Sequence, residues 1–202
     1  MGKELELKYH LEDEQQLEAV LSWQLLGVLR VGAPYTFEME TTYFDTKEAL
    51  FSARHWTVRR RMENGRSVFC VKTPRDDPAH PLLRGEWEAE ASSFAEAVPQ
   101  LVALGAPAEL TGLAPETLVT VCGATFTRRA QLLRLSKDTT CELACDQGVL
   151  RGGKKAQPFF EAELELKSGS EQELYAFGQM LAVCFGLSAE PKSKYARARA
   201  LL

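Results

Sequence analysis

The sequence predicts an α+β protein built on a closed, antiparallel β-barrel of about eight strands, with helices packed on the outside. Three observations predict it. Segments of alternating polar and apolar residues recur along the chain, and because successive strand side chains point to opposite faces, each segment has one charged and one apolar face. Helical periodicity is confined to a few stretches that follow strands. Charge, finally, is sorted by strand: carboxylates dominate three strands, and Arg or Lys two others. A sheet that shows its polar face to water scatters both signs within a strand. Sorting suits a closed interior where each sign meets its complement, and barrels of about eight strands enclose a ligand-sized lumen.

In chain order, ELELK at 4–8 is the first strand, with Glu4, Glu6 and Lys8 on one face and Leu5 and Leu7 on the other. EDEQQLEAVLSWQLLGVL follows as a helix, with Leu17, Leu21, Leu25 and Val28 at helical spacing, and Gly32 and Pro34 end that region. TFEMETTYFDT at 36–46 is the second strand. The two arms of 53–74 form a hairpin joined by Asn64-Gly65, a strong turn dipeptide. RGEWEAEA at 84–91 is a further strand, after which Ser92 or Ser93 caps a helix with Phe94, Val98, Leu101 and Leu104 along one side. TFTRRAQLLRLSKD and TTCELACDQGVLRGG read as paired strands, and PFFEAELELKSG as the last, ending at Gly169. Ser170 through Glu173 is a capping box that opens a helix through Leu174, Phe177, Leu181 and Phe185 to Gly186. The second ELELK, at 163–167, echoes the first, each being a strand followed by a helix. With no low-complexity stretch and no evident linker, residues 1–202 read as one domain.

Composition excludes several classes. The chain has 202 residues, 45% hydrophobic and 26% charged, enough apolar material for a core and too little net charge, −4, for a nucleic-acid binder. No apolar run approaches the ~20 residues that span a membrane, and the N-terminus lacks the apolar centre of a secretory signal. MG at the start does not open a myristoylation motif, because position 6 is Glu rather than Ser or Thr. Five cysteines without CxxC pairs read as reduced thiols of a cytoplasmic protein, and the three histidines show no zinc-ligand spacing.

Strand parity then sorts the charged side chains. Arg59 and Arg61 share a face, Lys72 shares one with Cys70 and Val68, and Arg84, Glu86, Glu88 and Glu90 share another. Glu142 and Asp146 share a face, as do Glu161, Glu163, Glu165 and Lys167. Arg128 and Arg129 lie on opposite faces, so only one can point inward, and the sequence distance to Asp146 favours Arg129. Inward charges are costly unless compensated. Hard cations such as Mg²⁺ take carboxylate oxygens and phosphate chains take Arg and Lys, so a lumen with acidic and basic walls suits a metal–polyphosphate complex.

These motifs, in this order, resemble the CYTH superfamily, the triphosphate tunnel metalloenzymes, over essentially the whole chain. E-x-E-x-K is Glu4, Glu6 and Lys8; the Y-[YF]-D-T stretch is Tyr43-Phe44-Asp45-Thr46; and R-x-R with the following K-x-P-like strand is Arg59, Arg61 and Lys72-Thr73-Pro74. R-x-E-x-E is Arg84, Glu86 and Glu88, the later E-x-E is Glu161 and Glu163, and S-K-Y-x-R is Ser193-Lys194-Tyr195 with Arg197. The second ELELK is therefore offset by one pair from the register that the resemblance makes functional. Ala144 stands where some relatives carry an acid two residues before Asp146.

The resemblance implies a bacterial-type inorganic triphosphatase that cleaves the terminal phosphoanhydride of tripolyphosphate inside a charged tunnel. It implies that Glu4, Glu6, Glu86, Glu88, Asp146, Glu161 and Glu163 hold one or two Mg²⁺ ions, with Mn²⁺ as a substitute. Lys8, Arg59, Arg61, Lys72, the Arg128 or Arg129 position and Lys194 grip the phosphate chain, and Glu4, Glu6 and Lys8 carry the catalytic role. The expected partner is a small-molecule triphosphate, with no nucleic acid or membrane, in a monomer or homodimer. A thiamine triphosphatase and a CYTH-type adenylate cyclase are the neighbouring readings, and a non-catalytic polyphosphate-binding module is the reading from another class. A thiamine-binding aromatic is expected near the R-x-R strand, but Trp56 lies an odd number of residues from Arg59 and should turn outward, and neither Trp23 nor Trp87 falls on an inward face.

Overall fold

A computed structural model describes residues 5–74, 84–113 and 118–202. Among the described residues, nine strands and seven helices follow one another in the order β1 (Glu6–Leu11), α1 (Glu14–Leu21), α2 (Gln24–Leu29), β2 (Arg30–Thr46), α3 (Leu50–Ala53), β3 (Thr57–Glu63), β4 (Arg66–Pro74), β5 (Arg84–Glu90), α4 (Phe94–Ala103), α5 (Leu110–Leu113), β6 (Leu118–Arg134), β7 (Thr140–Gly152), β8 (Lys155–Ser168), α6 (Glu171–Phe185), β9 (Ser188–Ala189) and α7 (Lys194–Arg199). The strands form one sheet in the order β5-β4-β3-β2-β6-β7-β8-β1-β9. The α+β class holds, whereas the closed eight-stranded barrel does not. Among the described residues the order has two ends, β5 and β9, and the strands number nine. The extra strand is β9, whose two residues pair antiparallel with Tyr9 and His10 and occupy that stretch of the β1 edge, where a closing strand would have to bond. Two residues are too short to show a period.

The chain divides into two compact units, Met1–Phe37 with Phe126–Val149 and Gln157–Ser193, and Glu38–Thr125 with Leu150–Ala156 and Lys194–Leu202. In the first, α1 and α6 pack on the apolar face of β1 and its neighbours, burying Leu11, Leu17, Val20, Leu143, Leu164, Leu174 and Leu181. Asp13 caps α1 by accepting from the Gln16 amide, and Ser170 caps α6 by accepting from the Glu173 amide. The long helix expected over 12–29 breaks at Ser22-Trp23. There the chain turns to bury Leu26 in place of Val28, which is 80% exposed, and Trp23 packs on Phe177 and Phe185. The strand expected from residue 36 starts at Arg30, with Gly32 at φ 79 inside it.

In the second unit, Phe51, Val58, Phe69, Val71, Ala89, Phe94, Val98 and Leu101 form the core between the sheet and α4. Ser93 caps α4 by accepting from the Glu96 amide. Asn64 and Gly65 both have positive φ, 47° and 87°, as a two-residue hairpin turn requires, and they join Glu63 to Arg66. Asp45 is buried and accepts from the amides of Thr46, Phe51 and Ser52 and from the Ser52 hydroxyl, fixing the turn from β2 into α3.

Candidate functional site

Strand register builds the charged face of the first unit. Pairing of β1 with β8 sets Lys8 opposite Glu163, Glu6 opposite Glu165 and His10 opposite Glu161, while Tyr9 and Leu11 join Ala162 and Leu164 in the core behind. Asp146, Glu161 and Glu163 are all buried, and one oxygen from each lies within 4.8 Å of the others. Arg128 binds this group in a fork. Its Nε donates to Asp146 Oδ1 at 2.8 Å and its Nη2 to Oδ2 at 2.7 Å, and Nη2 also reaches Glu163. Lys8 Nζ lies 3.2 Å from Glu6 and 3.8 Å from Glu163. Burial works against the charge on Arg128, but Asp146 and Glu163, with Glu6 beyond, outweigh it and hold the guanidinium well above its ordinary pKa. Arg128, and not the favoured Arg129, is therefore the inward residue. Arg129 points the other way, with Nη1 2.7 Å from Glu18 on α1.

The row continues along β8. Lys167 Nζ is 2.6 Å from Glu165 and 3.8 Å from Glu142, and Glu142 accepts a hydrogen bond from the Tyr35 hydroxyl. Burial raises the Tyr35 pKa, and the bond to Glu142 raises it further. Glu142 and Lys167 thus belong to the same face as the acidic cluster, as strand parity predicts.

In the second unit the register of β3, β4 and β5 makes cross-strand rows: Arg59 opposite Cys70 opposite Glu88, and Lys72 opposite Glu86. Arg59 Nη2 is 3.4 Å from Glu86 and 3.3 Å from Glu88, Arg61 Nη2 is 3.3 Å from Glu88, and Lys72 Nζ is 2.6 Å from Glu86. Arg61 also pairs with Glu63. The Cys70 thiol donates to Glu86 Oε1 at 3.1 Å, and burial pushes its pKa up to about 12 against the opposing pull of Arg59. Cys70, Glu86 and Glu88 form a second group of clustered donors. Glu90, at the exposed strand end, pairs with Arg66. Lys194 opens α7, where Tyr195 rests on Tyr43 with ring centroids 4.9 Å apart.

Glu4 lies outside the described residues. Trp56 packs against the second unit's core beside Val58, as its parity requires, with the Arg54 guanidinium over its ring. Trp23 and Trp87 likewise pack on apolar cores. Sequence reasoning searched only tryptophan for an aromatic on the charged face and missed Tyr35 and Phe37. Counting back by twos from Tyr43, which lies opposite Arg59, would have found both.

The CYTH domain model matches residues 2–198. An inorganic triphosphatase of Haemophilus influenzae (strain ATCC 51907 / DSM 11121 / KW20 / Rd) is 26% identical over 189 residues, covering 90% of this chain and 50% of that protein. The chain thus spans about half the length of this curated relative. Among solved structures, a Hippeastrum protein described as a proposed adenylyl cyclase with a dominant triphosphatase activity superposes with a TM-score of 0.63 at 15% identity, covering 98% of this chain and 96% of its own. A Pyrococcus horikoshii OT3 protein, PH1819, superposes with a TM-score of 0.57 at 18% identity, covering 98% and 99%. These likenesses carry the fold.

Proposed function

The chain belongs to the CYTH family, and from that premise we propose that it is a metal-dependent triphosphatase whose preferred substrate is inorganic tripolyphosphate. The observation that carries this reading is the buried Asp146–Glu161–Glu163 group gripped by Arg128. Three carboxylates this close and this buried repel one another, and interleaved cations, Arg128 and a bound metal ion, relieve that repulsion. The donors fit a hard divalent cation such as Mg²⁺ or Mn²⁺: they are carboxylate oxygens without a nitrogen or sulfur among them. Such an ion, when bound, neutralises phosphate oxygens and acidifies nearby water.

The remaining work falls to the chain. Arg128 and Lys8 in the first unit, and Arg59, Arg61, Lys72 and Lys194 in the second, bind phosphate oxygens, Arg as a fork and Lys as a movable point charge. The carboxylates that hold these cations in the substrate-free protein keep them oriented and yield them as the phosphates arrive. Glu6, held by Lys8 at 3.2 Å, orients a water for attack on the terminal phosphorus and accepts its proton. The bond from that phosphorus to the bridging oxygen breaks, and pyrophosphate leaves with the electron pair. The cationic groups offset the charge that spreads over the phosphoryl oxygens in the transition state. A non-catalytic polyphosphate binder would need the basic residues but not the buried carboxylates.

The test is phosphate release from tripolyphosphate, thiamine triphosphate and ATP, each with Mg²⁺, with Mn²⁺ and with chelator. Cation-dependent release that is fastest from tripolyphosphate is expected. Absence of release from every substrate under every condition would reject the hydrolase.

A further inference from the structure

Tyr35 and Phe37 stand two residues apart on β2, half-buried, with ring centroids 5.5 Å apart and planes at 75°. They share a strand face, and the Tyr35 hydroxyl bonds to Glu142, so that face is the charged one. Beside them Lys167 bridges Glu142 and Glu165, and Glu165 lies opposite Glu6. An edge-to-face aromatic pair therefore stands where the row of charges leads away from the buried carboxylate cluster. Elsewhere in this unit Trp23 packs on the helix-side core, and Phe126 and Phe159 are buried against each other.

Phosphate contacts do not explain this pair, since Phe37 offers no donor and the Tyr35 hydroxyl is committed to Glu142. Aromatic rings bind flat heterocycles by stacking, and carboxylates next to them favour a ring that carries N–H donors or positive charge. Glu142 already accepts from one donor and faces Lys167, so its oxygens are held in place on the rim of the pair. Resting on the triphosphatase reading, we propose that Tyr35 and Phe37 are specificity-determining residues that receive a heteroaromatic group esterified to one end of the triphosphate, with Glu142 accepting from its N–H groups. An ester removes negative oxygens that the basic residues reward, and the stacked ring repays part of that loss. The resulting order of substrates is tripolyphosphate first, then an aromatic ester such as ATP, then an alkyl triphosphate of equal charge.

The test is calorimetric binding of a non-hydrolysable ATP analogue and of the matching alkyl triphosphate analogue, with Mg²⁺ present. The wild type should bind the adenosine compound about tenfold tighter than the alkyl one, the scale of one stacked base. Phe37→Ala and Tyr35→Ala should bring that ratio close to one. Tyr35→Phe keeps the ring and should keep most of the ratio, and Phe37→Leu, which preserves bulk, should lose it. A ratio near one in the wild type, or a ratio that survives both alanine substitutions, would overturn the proposal. Because binding is read without turnover, a protein that shows this pattern but hydrolyses nothing would reject the hydrolase and leave the aromatic subsite standing.

Discussion

Arg128 and Arg129 are neighbours with opposite fates, and the difference is measurable. Arg128→Met strips the fork from the fully buried Asp146, and loss of one partner of a buried charge pair costs about 3–5 kcal/mol. Arg129→Met breaks a pair whose Glu18 side chain is 51% exposed, and should cost under about 1 kcal/mol. Chemical denaturation in the absence of divalent cation checks both, and added Mg²⁺ should recover part of the Arg128→Met loss, since a cation can stand in for the guanidinium among the carboxylates. The thiols give a pH prediction. Burial raises Cys70, Cys141 and Cys145 from 9.0 to about 12 and Cys122 to about 11. A folded-state pKa above the unfolded one means stability that is complete below pH 9 and is lost as the pH rises toward 11–12. At pH 8 an alkylating reagent should label the exposed Cys184 and spare the other four in the native protein, as read by mass spectrometry. Parity alone made the Arg128–Arg129 alternative visible. The choice between them was not, because it depends on which face α1 covers, and that is decided by packing far away in sequence.

At the scale of elements, the strands were legible wherever one face is charged and the other apolar. The pairing of Arg59 with Cys70 follows from Asn64-Gly65, since a two-residue turn fixes the register of both its arms, whereas Cys70–Glu88 and Lys72–Glu86 are set by the pairing of β4 with β5. The break between α1 and α2 was not legible, because Leu17, Leu21, Leu25 and Val28 keep helical spacing across it, and the burial of Leu26 overrides that pattern. Nor was the early start of β2, where Gly32 and Pro34 read as punctuation. Close strand approach supplies a test here. A Cβ at Gly123 on β6 would stand 2.7 Å from the Thr41 carbonyl oxygen on β2, a backbone atom that cannot swing aside. Gly123→Ala should cost roughly 1–3 kcal/mol of stability, the usual range for overpacking, visible as a lowered denaturation midpoint with unchanged slope. Trp56→Ala, on the helix side of β3, should leave tripolyphosphate turnover per folded molecule nearly unchanged.

For the whole molecule, the alternation of polar and apolar residues led to a mostly antiparallel sheet, but the sorting of charge by strand, which argued for a closed interior, did not give closure, since the strand order has two ends among the described residues. Closure could not be read, because it hinges on which strand occupies each edge, and a two-residue strand such as β9 leaves no trace in the sequence. No helix among the described residues is long and apolar enough to cross a membrane. The two groups of clustered donors, Asp146–Glu161–Glu163 and Cys70–Glu86–Glu88, could each hold a metal ion, and the proposed chemistry turns on a divalent cation. Glu6→Gln should lower kcat/KM for tripolyphosphate by at least about 10²-fold, the scale of removing one preorganised electrostatic group. The wild type should prefer tripolyphosphate to ATP or thiamine triphosphate by at least about tenfold in kcat/KM, or about 1.4 kcal/mol. The most direct measurement is phosphate release from tripolyphosphate by the wild-type protein in Mg²⁺ and in excess chelator. Turnover that appears with Mg²⁺ and vanishes with chelator is the predicted result, and undiminished turnover in chelator would contradict it.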